Sequence, residues 1–475
     1  MGRVKFKSGT TMLAEKSIKG ALKALTFISV LSLLVGCLND DDDDSSDSTS
    51  YGTVQFYNAS SNSSSTRFLI DASLKSVVSF GDASSRISLE PETYEISIER
   101  TNVDNASDYV ELLSQEVTIA NGTNRLFVMS GEFSAPTLTE YSFDPEDDLE
   151  SDELALMGFN LTSEYAQLEI YYGPTDGDQT SATLLATLGN QAQSEFVALD
   201  ADDYLFYVVD ADSGDTLLTT KSVPFTGGYN YFVIVRDDVV NGGISLDQMS
   251  SSTFVYNYPN PEANAQVRAY QSIDNLNAVD LTLAGAGEDF AENALAIDTL
   301  SEFITLPYGD YLMRLSAAGN PDETHLQNKL VSLQPGAAKN VLFYRNSNAA
   351  VAALVYSQDM RARVYEHDIN LVSLSDIRDA DGDRYLLRAY FVNEEKGETK
   401  ETASQVVTGI EFASVENFTL VTGNYAVYLM YTDEDNQEHL AAEKTQLNLE
   451  ASTNYQLILE PDETVYTGYR LSVLH

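Results

Sequence analysis

One short pattern recurs four times along this chain, at a spacing that few folds accommodate. A leucine precedes a tyrosine by five residues at Leu89 and Tyr94, Leu199 and Tyr204, Leu306 and Tyr311, and Leu420 and Tyr425, with turn-forming residues between. Behind each tyrosine an apolar residue stands at every second position: Ile96 and Ile98, Phe206 and Val208, Met313 and Leu315, Val427 and Leu429. Period-two alternation is the mark of a strand with one buried face. The tyrosines lie 110, 107 and 114 residues apart, about the length of one immunoglobulin-like sandwich. One β-sandwich per repeat is therefore expected, and an all-β fold of tandem immunoglobulin-like units.

Two further landmarks accompany the tyrosine strand. An apolar residue before an asparagine opens each unit, at Tyr57-Asn58, Phe159-Asn160, Tyr256-Asn257 and Ile369-Asn370. Strands are expected next at Phe68 to Ile70, Leu168 to Tyr172, Arg268 to Tyr270 and Arg388 to Tyr390. After the tyrosine strand comes an apolar run, at Leu126 to Val128, Tyr231 to Val233, Val341 to Phe343 and Tyr455 to Leu457, entered through turns containing Gly122, Gly227, Gly336 or Ser452. On these landmarks the repeats are expected at 51–150, 151–250, 251–357 and 358–475, with polar linkers near 144–153, 249–252 and 357–361.

The Leu-x-x-Gly-x-Tyr turn together with the apolar-Asn opening resembles the bacterial repeat called domain of unknown function 4397. That resemblance implies secreted or lipid-anchored proteins built of immunoglobulin-like sandwiches, without an established activity. The turn glycine is present as Gly309 and Gly423, while Glu92 and Asp202 stand there in the first two repeats.

Ahead of the repeats lies a segment of another kind. Arg3, Lys5, Lys7, Lys16, Lys19 and Lys23 form a basic start, followed by thirteen uncharged residues from Ala24 to Gly36. That length suits a signal peptide and is too short to span about 30 Å of hydrocarbon. The stretch ends in Leu34-Val35-Gly36-Cys37, which resembles the bacterial lipobox. Residues 1–36 are thus expected to be removed and Cys37, the only cysteine, to carry the lipid. Leu38 follows it, where an aspartate would hold such a protein at the inner membrane, so the outer membrane is expected. Asp40 to Asp44 and the serine-rich residues to Ser50 read as an extended tether, because like charges repel and serine buries little.

Without residues 1–36 the chain has 21 basic and 72 acidic residues, a net charge of −51. Such a field repels nucleic-acid phosphates and anionic headgroups, which excludes nucleic acid as a partner. Cations, cationic partners and neutral polymers remain open, and the membrane, through the lipid, and a protein or polysaccharide of the envelope are the partners expected. The 43% of hydrophobic residues is too many for disorder, so the repeats fold despite the charge.

Residues for catalysis are sparse. The histidines are His325, His367, His439 and His475, without metal-ligand spacing, and no nucleophile elbow or phosphate loop is present. The recurrent tyrosines read as the structural corner of sandwich folds rather than as a ligand platform, and the asparagines as turn caps. One local cluster stands out: Asp379, Asp381 and Asp383, with Asp376 just ahead. It falls in a seven-residue insertion, since Asn370 to Arg388 spans 18 residues against 11 from Asn257 to Arg268. Alternate aspartates with Ala380 and Gly382 between them offer hard oxygens for weak calcium binding, although Arg384 follows and no bidentate acid appears before Glu394. The expected function is a non-catalytic, lipid-anchored binding or scaffold module of the envelope. A carbohydrate- or calcium-binding surface module is the alternative, and a hydrolase with an unrecognised site is the second.

Overall fold

β-branched and aromatic residues recur in short alternating runs along this chain, and they pack best on a pleated surface covered on one face. The computed structural model describes residues 51–146, 148–239, 242–286 and 289–475; Cys37 and the aspartate run lie outside them. Regular structure among the described residues is strand, apart from single 3-10 turns at Gln179–Ser181, Glu394–Lys396 and Lys400–Thr402. The chain is all-β, and its sheets pair into tandem sandwich-like modules.

The first module shows the plan. Gly52–Asn58 and Asn124–Ser130 run parallel at the centre of one sheet, with Ile87–Leu89 and Thr137–Phe143 outside them. The other sheet holds Ser73–Val78, Thr66–Ile70, Thr93–Thr101 and Tyr109–Thr118 in that order. Parallel neighbours need a long crossover, and here the crossover is the whole second sheet. Val54, Phe56, Phe68, Ile96, Ile98 and Phe127 fill the space between the sheets. The same parallel centre recurs as Glu153–Leu161 with Tyr229–Asp237, Ala265–Gln271 with Ala338–Arg345, and Glu366–Ser373 with Tyr455–Pro461.

Two landmarks take other places than expected. Tyr256 and Asn257 do not open the third module; they lie in Val255–Pro259, which pairs with Ile244–Met249 and extends the second module's first sheet. Arg268 to Tyr270 belongs to the opening strand of module three itself, and the strand after it is Ala278–Gly285. An apolar-Asn pair marks a strand end, but which sheet takes the strand is settled by distant partners. The insertion in module four keeps its size: thirteen residues, 374–386, separate its first two strands, against six, 272–277, in module three.

Modules one and two meet through their first sheets, which are buried on both faces. Tyr57, Leu126 and Val128 of the first pack against Met157, Phe159, Phe232 and Ile234 of the second, all at most 1% exposed. Phe143 and Phe159 meet Phe232 edge-on, at 5.0 and 5.5 Å between ring centroids. Burying each such side chain contributes roughly 1.5–3 kcal/mol. Modules three and four repeat this contact through Tyr270, Leu342, Val372 and Ile458. The two four-layer stacks touch where Phe133 and Arg100 of module one pack on Tyr365 and where Lys396 Nζ donates to the Val103 carbonyl at 2.7 Å. The described residues accordingly fall within one compact unit. In the stretch 249–252, expected as a polar linker, Met249 is buried and Gln55 Nε2 donates to the carbonyls of Ser250 and Ser252 at 3.0 and 3.1 Å, while Ser251 and Ser252 are exposed.

Candidate functional site

The four recurrent tyrosines share one role. Each phenol donates to the carbonyl four residues upstream: Tyr94 to Glu90 at 3.1 Å, Tyr204 to Asp200 at 2.7 Å, Tyr311 to Pro307 at 2.7 Å and Tyr425 to Val421 at 3.0 Å. The hydroxyl pins the turn from which its own strand departs, so these residues are structural corners. Gly309 has φ +142°, and a Cβ there would stand 2.7 Å from that of Ala286, so this corner excludes a side chain.

The aspartate insertion folds on itself. Arg378 and Arg384 form an isolated bridge, Asp383 N–H donates to Asp379 Oδ1 at 2.7 Å, and Gly382 turns the chain at φ +91°. Asp376 does not join the other three carboxylates. Arg384 Nε reaches it at 2.6 Å and Arg378 Nε at 3.0 Å. Burial alone would raise its pKa, but the two guanidinium groups outweigh that and hold it below the ordinary carboxylate range. Among the described residues no three His, Cys, Asp or Glu side chains are grouped to hold a metal.

The histidines are tied into structure. His367 is buried, with Nδ1 2.9 Å from the Thr453 carbonyl and Nε2 2.9 Å from Thr422 Oγ1. His439 Nε2 lies 2.6 Å from Asp433 Oδ2 at the surface. His325 belongs to the long edge strand Asn320–Leu333, and the ring of the terminal His475 lies beside Tyr455.

Sequence reasoning missed a buried charged node between modules one and two. Asp247 accepts from Tyr57 Oη at 2.5 Å, Arg236 Nε at 2.7 Å, Arg236 Nη2 at 3.3 Å and Asn257 Nδ2 at 2.6 Å. Burial works against the Arg236 charge, yet Asp247 outweighs it and drives the guanidinium pKa up. Burial likewise pushes the Tyr57 phenol well up, which keeps its proton on the donating oxygen. Modules three and four carry a counterpart, where Tyr270 donates to Glu460 at 2.8 Å and Arg470 Nε at 3.1 Å completes the pair. In both nodes the carboxylate and the tyrosine are buried, while Asn257 and Arg470, the latter 33% exposed, bring their outer edge to the surface.

The surface feature with the chemistry of a binding site is a groove of about 290 Å³ beside Val255–Pro259. Alternate positions on a strand share a face, so Tyr256 and Tyr258 line it together, with Phe254 just ahead of the strand and with Tyr231 and Gln248 beside them. Phe254 is 69% and Tyr256 61% exposed. The walls are held from within: Gln248 Nε2 donates to the Pro224 carbonyl at 2.7 Å, Tyr258 Oη to Gln248 Oε1 at 3.2 Å, and Tyr231 Oη to the Thr226 carbonyl at 3.3 Å. Phe225 backs Tyr231 edge-on at 4.9 Å. Ser250 and Ser252 add hydroxyls, and no lining side chain is charged. The signal in the sequence is the aromatic alternation at 254, 256 and 258, which resembles a core strand until its neighbours are known.

No curated protein matches this sequence. Among solved structures, the chain is similar to the Bacillus anthracis TIE protein over 86% of its length and 68% of that chain, at 11% identity and a TM-score of 0.16. It is similar to a putative cell adhesion protein from Parabacteroides distasonis over 69% of its length and 99% of that chain, at 10% identity and a TM-score of 0.15. Two B repeat units of the collagen binding protein of Staphylococcus aureus align over 89% of this chain and 98% of theirs, at 10% identity and a TM-score of 0.11. Scores this low say nothing of ligand or activity. The family match is confined to residues 52–171, which include the first module and the opening strand of the second, and the family is described as Domain of unknown function (DUF4397).

Proposed function

We propose that this protein is held at the bacterial outer membrane by a lipid on Cys37 and works there as a non-catalytic binding or scaffold module. The observation that carries the reading is the groove beside Val255–Pro259: its walls are pre-set by internal hydrogen bonds, and two aromatic rings are left in solvent. Its lining consists of rings, hydroxyls, an amide, a thioether and a proline, without a carboxylate, imidazole, amine or thiol. Such a surface holds a ligand without altering it. The lipobox at Leu34 to Cys37 and the tether Asp40 to Ser50 support the anchored placement. Several acyl chains at about 0.8 kcal/mol per buried methylene hold a protein on a bilayer durably.

Replacing Cys37 with Ser tests the anchor. The expected result is an unprocessed or released protein in salt-washed membrane fractions; undiminished membrane association would overturn the placement.

A further inference from the structure

We infer that the groove beside Val255–Pro259 binds a neutral glycan, with Phe254 and Tyr256 stacking on the sugar rings. The assignment rests on the binding reading above and gives it a ligand class. A pyranose presents a face of C–H groups and a rim of hydroxyls. The groove answers both, with aromatic rings at Phe254, Tyr256 and Tyr258 and polar groups at Gln248, Ser250 and Ser252.

Exposure marks the two rings as unexplained by packing. Phe159 and Phe232 in the same module are wholly buried, whereas Phe254 and Tyr256 are 69% and 61% exposed on one face. Exposed apolar side chains gathered in one place mark an interaction surface more often than scattered ones do.

Charge selects the class of polymer. The groove carries no Lys, Arg, Asp or Glu in its lining, in a chain with 73 acidic residues. A polyanion meets a repelling field and finds no cation to hold it, and a cationic ligand finds no carboxylate in the groove. A neutral polyhydroxylated ligand meets neither penalty. The volume of about 290 Å³ lies at the small end of ligand sites, the size of one or two sugar units of a longer chain. Strand addition by a peptide is disfavoured, because the edge strand has five residues and ends in Pro259, with Pro261 close behind. The internally bonded walls lose little freedom on binding.

The test is calorimetric titration of the mature chain with maltohexaose, cellohexaose, xylohexaose and mannohexaose, with hexagalacturonate as the charged control and an unstructured apolar peptide as the competing class. Saturable binding of at least one neutral oligosaccharide, and none of hexagalacturonate, is expected. Tyr256→Ala should weaken it about tenfold, the loss of one ring stack. Phe254→Ala/Tyr256→Ala should abolish it with melting unchanged within about 2 °C, since both rings are exposed. The assignment is overturned if no neutral oligosaccharide binds at about 10 mM, if binding survives the double substitution, or if the peptide alone occupies the groove. Membrane release of the Cys37→Ser protein is read separately, so loss of glycan binding with intact anchoring removes this ligand class and leaves the envelope reading standing.

Discussion

Replacing Asp247 with Ala tests whether the first two modules fold as one unit. The carboxylate is wholly buried and takes donors from both modules, Tyr57 on one side and Arg236 and Asn257 on the other. Its removal strands the Arg236 guanidinium, only 7% exposed, without its nearest counter-ion. Breaking a buried pair from one side costs about 3–5 kcal/mol. Asp238 also favours the Arg236 charge and offsets part of this, while the orphaned Tyr57 hydroxyl adds about 1 kcal/mol. A net loss of about 3 kcal/mol follows, or about 6–12 °C in melting temperature for some 200 residues. Urea denaturation of the mature chain, followed by far-ultraviolet circular dichroism and tyrosine fluorescence, reads the change. Arg236→Met/Asp247→Leu should recover most of it, because an apolar pair of similar volume carries no desolvation penalty. A loss under about 1 kcal/mol for Asp247→Ala, or a double variant as unstable as the two single losses combined, would refute the node as the lock between modules.

Three further outcomes are expected. Tyr311→Phe removes one corner hydrogen bond, to the Pro307 carbonyl, and should cost about 1 kcal/mol in thermal denaturation. His367 is kept below its ordinary pKa by burial, so below about pH 6.5 the unfolded chain binds the proton more readily and stability falls with acidification. Asp368, pushed up by its own burial, acts with the opposite sign below its folded pKa; His367→Gln should therefore flatten or invert the acid limb of a pH–stability curve, and an unchanged limb would exclude the histidine as its source. Limited proteolysis should yield fragments no smaller than a module pair, since the paired first sheets share a core; stable single-module fragments would contradict that packing.

The groove and the node were legible only in part. The alternation of Phe254, Tyr256 and Tyr258 stands in the sequence, but a half-buried strand and a ligand platform share that pattern, and exposure separates them. Asp247 looks like one more acid among 73; its partner Tyr57 is 190 residues away, beyond any local pattern. The aspartate cluster shows the reverse. Its spacing was plain, yet Arg378 and Arg384 take Asp376 because a flexible guanidinium reaches a carboxylate that composition alone cannot assign.

The sequence by itself determined the strands, the fourfold period and the tyrosine corners, because alternation, turn residues and a hydroxyl reaching four residues back are local properties. The apolar runs Leu126 to Met129 and Phe232 to Val235, read from the sequence only as strands, prove to be buried on both faces. What covers them was decided only in three dimensions. A side-chain pattern states that a face must leave water, while its partner is whichever apolar face of matching shape lies near, and here that was the neighbouring module's sheet.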